Sequence, residues 1–187
     1  MRTPLLLLSL ACITCDAQPY LIGSRTITFF DAGRSRNIET NIYYPGLTAG
    51  TNATVVDGAF PVLVIGHGFV MTPNAYANLW EHFVPRGYIV ALPTTEGGFA
   101  PDHGEFGLDL AFIAEALQAA NSDGASPFFE HVAPTSALMG HSMGGGASFL
   151  GAANNSAITT LVNFAAAETN PSAIAASAQV QIGRAHV

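Results

Sequence analysis

The stretch that decides the fold is Ser136-Ala137-Leu138-Met139-Gly140-His141-Ser142-Met143-Gly144-Gly145-Gly146-Ala147. Its first half completes an apolar segment, 135–140, which is typical of a strand buried on both faces. Its second half opens a segment, 143–153, that we predict to be a helix. A buried strand that turns directly into a helix is the repeating unit of proteins with a parallel sheet, so this stretch favours an α/β fold.

Ser142 stands in the turn between the predicted strand and helix, with Gly140 and Gly144 on either side. In a Gly-x-Ser-x-Gly turn the backbone bends so sharply that the serine adopts strained dihedral angles and its hydroxyl is exposed. Glycines are needed on both sides because a Cβ there would collide with the neighbouring strand or helix. The pattern therefore predicts Ser142 as a nucleophile, with Gly140, His141 and Gly144 forming the elbow and part of the pocket.

A glycine-rich helix start that binds an anion through its free amides is the alternative interpretation of this stretch. The spacing of the glycines fits neither a dinucleotide-binding fingerprint nor a phosphate-binding loop, which needs a lysine that this chain lacks. The nucleophile interpretation is therefore preferred.

The segments around this stretch alternate between strands and helices. Three further segments are predicted to be strands. Amphipathic patterns predict a helix with Thr72 as its N-cap, Pro73 at its first position and Tyr76 on its apolar face. They also predict a second helix, at whose start Asp102 and Glu105 resemble a capping box. Ahead of them, two segments rich in Thr, Ile, Phe and Tyr predict a β-hairpin. The expected fold is a mainly parallel sheet with helices on both faces and an N-terminal hairpin. The hairpin strands are 25–30 and 37–45, and the other strands are 60–65, 88–92 and 160–164.

A second element of the sequence supports the nucleophile. Acyl-transfer enzymes stabilise an oxyanion, usually with two backbone amides, of which one follows the nucleophile and the other follows an earlier strand. Met143 holds the first position, and Gly66-His67-Gly68-Phe69 lies at such a strand end. We therefore expect Phe69 and Met143 to form the oxyanion hole, with His67 orienting the loop; an ordinary strand-to-helix turn is the alternative.

Composition narrows the range of partners. Of 187 residues, 49% are hydrophobic and 10% charged, and the formal net charge is -7. The hydrophobic fraction predicts a packed domain. Nucleic acid is excluded as a partner because six basic residues are too few to contact a phosphate backbone along its length. The negative charge also disfavours docking on anionic membranes.

The N-terminus has the pattern of an export signal over residues 1–17, with a positive start, a short apolar run and small residues before Gln18. The apolar run is too short to span a bilayer, so no stable membrane insertion is expected after cleavage. A buried first strand is the alternative. The prediction is a secreted or periplasmic protein. Because Cys12 and Cys15 lie within the signal, no disulfide or thiol metal site is expected in the mature part.

Three motifs together resemble the α/β-hydrolase superfamily, nearest the chlorophyllase, dienelactone hydrolase and cutinase-like polyester hydrolase group. They are Ile65-Gly66-His67-Gly68-Phe69, Gly87-Tyr88-Ile89-Val90-Ala91-Leu92-Pro93 and Gly140-His141-Ser142-Met143-Gly144-Gly145, and the resemblance spans 27–180. It implies a serine esterase that cleaves small-molecule or polymeric carboxylic esters through an acyl-enzyme, with no metal or organic cofactor. The alternatives are an acyltransferase, perhydrolase or peptidase on the same fold, or a secreted binding protein without catalysis.

The resemblance also implies an acid and a histidine that lie beyond the end of this chain. Only 23 residues follow Phe164, and they hold one acid, Glu168, interpreted as a solvated loop carboxylate, and one histidine, His186. The segment 182–187 matches a translated sequencing-adapter oligonucleotide, which excludes His186 as a native base. We therefore expect residues 18–181 to be a truncated hydrolase domain and residues 182–187 to be translated adapter sequence. The fragment itself is expected to be inactive.

Overall fold

The computed structural model describes residues 19–180. The predicted signal segment and the predicted adapter segment both lie outside the described residues. Within them, a seven-stranded mixed sheet has the order β3-β1-β2-β5-β4-β6-β7. The strands are β1 (Leu21–Asp31), β2 (Arg36–Gly46), β3 (Gly50–Thr51), β4 (Phe60–Gly66), β5 (Ile89–Pro93), β6 (Val132–His141) and β7 (Ile158–Phe164).

The predicted hairpin is present and longer than expected, because β1 and β2 pair antiparallel along their whole length from Leu21 opposite Gly46 to Asp31 opposite Arg36. The turn is held by Asp31, whose side chain accepts the amide of Gly33 over 2.9 Å. The hairpin joins the rest of the sheet through an antiparallel pairing of β2 with β5. Strands β5, β4, β6 and β7 then run parallel, as the alternation of strands and helices predicted.

In the described part of the chain, four α-helices flank the sheet: α1 (Ala77–Phe83), α2 (His103–Ala120), α3 (Met143–Ala152) and α4 (Ala173–Ser177). Short 3-10 turns precede and follow α1, at Pro73–Tyr76 and Val84–Arg86. Within residues 19–180, no helix combines the length and the apolar character needed to cross a membrane.

Helices cover both faces of the sheet, as predicted. Alternate residues along a strand point to opposite faces, and the two faces bury separate apolar clusters. One face, with Val62, Val64 and Leu138, packs on α2 and α3 in the larger cluster. The other, with Leu63, Ile65 and Met139, packs on α1 and its flanking turns. Strands β4 and β5 are buried on both sides, so their sequences are continuous apolar runs. Among the described residues, strand β7 lies at the edge of the sheet and has no fully buried residue.

The predicted caps are correct in part. Asp102 caps α2, since its side chain accepts the amide of Glu105 over 3.0 Å. The reciprocal half of the capping box is replaced, because Glu96 and not Glu105 accepts the amide of Asp102. Thr72 makes no side-chain cap, although Pro73 occupies the first helical position as expected. The Glu105 carboxylate instead forms an ion pair with Arg34 on the hairpin turn.

Candidate active site

Ser142 lies between β6 and α3 with φ 52° and ψ -117°. A positive φ is strained for a residue with a side chain, so the surrounding structure must hold it in place. Three backbone hydrogen bonds do so: the Ser142 amide donates to Phe164 over 3.1 Å, and its carbonyl accepts the amides of Ala167 over 2.9 Å and Gly146 over 3.1 Å. The serine is half-buried, and no group within residues 19–180 hydrogen-bonds its hydroxyl. This is the geometry expected of a nucleophile elbow.

The glycines on either side of Ser142 are required by contact. A Cβ on Gly140 would overlap the carbonyl of Gly144, and a Cβ on Gly144 would overlap the carbonyl of Gly66 at the end of β4. The first turn of α3 therefore lies directly against the strand end that carries the predicted oxyanion loop. The two halves of the site are brought together by backbone packing.

The predicted oxyanion donors lie on these two halves. Met143 is the first residue of α3, where backbone amides have no acceptor inside the helix. Phe69 lies in the turn after β4, and no acceptor in the described part of the chain takes its amide. An ideal Cβ on Gly68 would lie 3.0 Å from His141 Nδ1, so the loop packs on the elbow. The oxyanion hole stays a prediction, and this packing is compatible with it.

The direction of the Phe69 amide follows from the carbonyl before it. The oxygen of Gly68 contacts His67 Nδ1 over 2.9 Å and accepts the Met71 amide over 3.0 Å. In a trans peptide the carbonyl and the following N–H point in opposite directions. The Phe69 N–H is thus directed away from His67 and Met71.

His67 is buried and lies between two carbonyl oxygens. Its Nδ1 faces Gly68 and its Nε2 lies 2.8 Å from the carbonyl of Thr95, while its ring contacts that of Phe106. With a carbonyl oxygen next to each ring nitrogen and no contact with the Ser142 hydroxyl, His67 is positioned to orient a loop and not to take a proton from the serine. The placement suits the role predicted from the sequence.

His141 borders a cleft of about 300 Å³ beside the nucleophile. Its Nδ1 lies 3.1 Å from the phenol oxygen of Tyr76. The cleft is mostly apolar, which is usual for sites that take small organic ligands. It is lined by Met71, Ala75, Tyr76, Asn78, Leu79, His141 and Phe164.

Tyr76 was not singled out by the sequence beyond its place on an apolar helix face. In the structure its buried phenol oxygen accepts the amide of Gly68 over 2.7 Å and lies 3.3 Å from Met71 Sδ. Burial raises the pKa of Tyr76, and the Gly68 hydrogen bond opposes that shift in part. A tyrosine on an apolar face was the available indication, because a buried phenol usually has a polar partner.

A charged network lies behind the predicted oxyanion loop. The fully buried carboxylate of Asp109 accepts the N–H of Arg36 Nε, which is shared between its two oxygens, and a further hydrogen bond over 2.8 Å from Arg36 Nη2. Arg34 contacts the same carboxylate over 2.8 Å, and the Thr95 hydroxyl donates to it over 2.6 Å. The hydrogen bonds that Arg36 donates to Asp109 raise the pKa of Arg36, and they outweigh its partial burial, which lowers that pKa. Because Thr95 also holds His67, the network supports the loop from below.

The structure brings no acid or histidine of residues 19–180 into hydrogen-bond contact with Ser142. Glu168 is exposed, and its carboxylate accepts the amide of Ile174 near the start of α4 over 3.1 Å, which agrees with its interpretation as a loop carboxylate. In the same part of the chain, no cluster of three or more His, Cys, Asp or Glu side chains is arranged to hold a metal ion.

Comparison with known proteins agrees with this architecture. The family model described as Chlorophyllase matches residues 36–174. Among solved structures, a ferulic acid esterase from Streptomyces cinnamoneus is similar with a TM-score of 0.56 and 17% sequence identity, over 78% of this chain. This chain spans 59% of the length of that esterase. No curated protein matches the sequence.

Proposed function

The chain belongs to the Chlorophyllase family, a family of ester hydrolases with the α/β-hydrolase fold, and from this premise we propose that it carries the nucleophile of a serine carboxylic ester hydrolase. The observation that carries the proposal is the backbone of Ser142, held at a φ of 52° between a buried strand and a helix start. Such strain costs about 1 to 3 kcal/mol and is concentrated at functional sites, so its presence at a serine supports a catalytic use of the hydroxyl.

In the proposed reaction the Ser142 oxygen attacks the ester carbonyl and its proton passes to a general base. The carbonyl π pair moves onto oxygen, and the amides of Phe69 and Met143 stabilise that negative charge. Collapse of the intermediate expels the alcohol, which takes the proton, and leaves an acyl group on Ser142. Water then attacks the acyl-enzyme by the same steps, releasing the carboxylic acid and restoring the hydroxyl.

The general base in this proposal is a histidine outside residues 19–180. Both ring nitrogens of His67 face carbonyl oxygens, and His141 Nδ1 faces the phenol of Tyr76. Neither ring contacts the Ser142 hydroxyl, so neither of these two histidines accepts the proton of Ser142 in this proposal. A base is required because a serine hydroxyl attacks poorly without one.

The cleft beside His141 suggests the class of ester. Its volume of about 300 Å³ and its apolar walls suit one small hydrophobic group of the substrate. On the oxyanion side, the half-exposed ring of Phe69 meets the ring of Phe99 edge to face with centroids 6.5 Å apart. Aromatic side chains exposed next to a reaction centre favour a substrate that presents an apolar or aromatic group.

Turnover of a p-nitrophenyl ester by the full-length protein tests the proposal. We expect Ser142→Ala to remove turnover almost completely, by about 10⁴-fold or more. Ser122→Ala is the matched control, because Ser122 is an exposed serine in the turn after α2 and its replacement should leave turnover unchanged. Equal activity of the wild type and Ser142→Ala would refute the serine mechanism. Turnover with peroxide or an alcohol as the preferred acceptor would instead indicate a perhydrolase or acyltransferase.

A further inference from the structure

Tyr76 joins the two halves of the candidate site. Its phenol oxygen lies 2.7 Å from the amide of Gly68 in the oxyanion loop and 3.1 Å from Nδ1 of His141 on the nucleophile elbow. Gly68 and His141 are 73 residues apart in the chain, and Tyr76 is in direct contact with both. The tyrosine is 6% exposed, so these contacts are shielded from water.

The direction of each hydrogen bond can be derived. The Gly68 N–H can only donate, so the phenol oxygen is the acceptor in that contact. The single phenol proton is then available to His141 Nδ1 or to the sulfur of Met71 at 3.3 Å. A thioether is a weak acceptor, so the proton goes to the imidazole nitrogen.

The donor role of the Tyr76 phenol in this contact determines the tautomer of His141. A ring nitrogen that accepts a hydrogen bond carries no proton, so Nδ1 is bare and the neutral ring carries its proton on Nε2. Because His141 borders the cleft, the ring is then a fixed donor next to the nucleophile. The phenol remains a donor through neutral pH, since burial raises the pKa of Tyr76.

We propose, on the basis of the esterase function proposed above, that Tyr76 is a positioning residue which holds the oxyanion loop against the nucleophile elbow and fixes the Nε2–H tautomer of His141. The Gly68 amide that Tyr76 holds belongs to the peptide directly before the one that carries the Phe69 amide. Losing the phenol would free the loop on one side, and the separation of the Phe69 and Met143 amides would vary. Transition-state stabilisation depends on that separation, whereas substrate binding in the apolar cleft does not.

Replacing Tyr76 by Phe in the full-length protein removes the phenol oxygen and keeps the ring. We expect kcat for a p-nitrophenyl ester to fall about tenfold to a hundredfold, which is less than the loss of a whole oxyanion donor, with KM nearly unchanged. Tyr44→Phe is the matched control, because Tyr44 is also buried and its phenol donates to the carbonyl of Ala53 over 2.8 Å, in a different part of the protein. Equal kcat values for the two variants would overturn the proposal.

A second measurement does not depend on activity. Nitrogen NMR of the His141 ring in the wild-type protein should show a bare Nδ1 and a protonated Nε2, and Tyr76→Phe should mix the two tautomers. A protonated Nδ1 in the neutral wild-type ring would overturn the proposal even if Tyr76→Phe fails to fold. Failure of the esterase proposal is distinguishable, because the wild type would then show no turnover dependent on Ser142.

Discussion

Gly144 at the start of α3 lies in contact with the carbonyl of Gly66 at the end of β4, and no room for a Cβ remains between them. This contact joins the segment that carries Ser142 to the segment that leads into Phe69. The nucleophile and the predicted second oxyanion donor therefore have a separation set by two backbones in contact. A side chain at this point would push the two segments apart.

Gly144→Ala tests this contact. The added methyl overlaps backbone atoms, which cannot move aside as a flexible side chain can, so we expect unfolding to become easier by about 3 kcal/mol. For a domain of this size that is a fall in Tm of about 6 to 12 °C, measured by thermal unfolding. Gly124→Ala is the control, since a Cβ at Gly124 meets no atom within 4 Å. Equal Tm values for the two variants would show that the contact between Gly144 and Gly66 accommodates a methyl group.

Asp109→Asn tests the charged network below the oxyanion loop. The substitution keeps the shape of the side chain but leaves Arg34 and Arg36 without their shared buried carboxylate. Removing one partner of a buried ion pair typically costs about 3 to 5 kcal/mol of stability. Chemical denaturation should detect the loss, while Asp57→Asn, at an exposed carboxylate, should change stability little. A variant as stable as the wild type would mean that the network contributes little.

Phe99→Ala tests whether the aromatic pair at the mouth of the site contacts substrate. Phe99 is 85% exposed, so its removal should not change Tm. We expect KM for an ester of an aromatic acid to rise several-fold, because the substrate loses apolar contact next to Phe69, with kcat nearly unchanged. Ile174→Ala, at another largely exposed apolar residue on α4, serves as the control. An unchanged KM would remove Phe99 from the binding surface.

Stability should fall at alkaline pH. Burial raises the pKa of Tyr43 and of Tyr76 above the ordinary value of 10.0. A group with a raised pKa in the folded state contributes its full stability below the unfolded pKa, and that contribution is lost as pH rises through the folded pKa. The decline should therefore start near pH 10 and be smaller in Tyr76→Phe than in the wild type. Denaturation midpoints measured from pH 8 to 12 would contradict this if the two proteins declined in parallel.

Most of the strands and helices, and the elbow, could be predicted from sequence because each has a local cause. The sequence does not predict strand β3 and helix α4, since they are only two and five residues long. Buried parallel strands need continuous apolar runs, and the strained turn at Ser142 needs glycines within two residues of it. The contacts made by Tyr76 and Asp109 could not be predicted in the same way. Tyr76 reaches His141 across 65 positions and Asp109 reaches Arg36 across 73, and such pairs form only after the sheet order has brought their elements together.

The most direct test of the central claim is trapping of the acyl-enzyme on the full-length protein. After rapid mixing with a p-nitrophenyl ester and acid quenching, peptide mass spectrometry should find the acyl group on the peptide that carries Ser142, and Ser142→Ala should carry none. An ester that is hydrolysed without any acyl group on Ser142, or at the same rate by Ser142→Ala, would contradict the account.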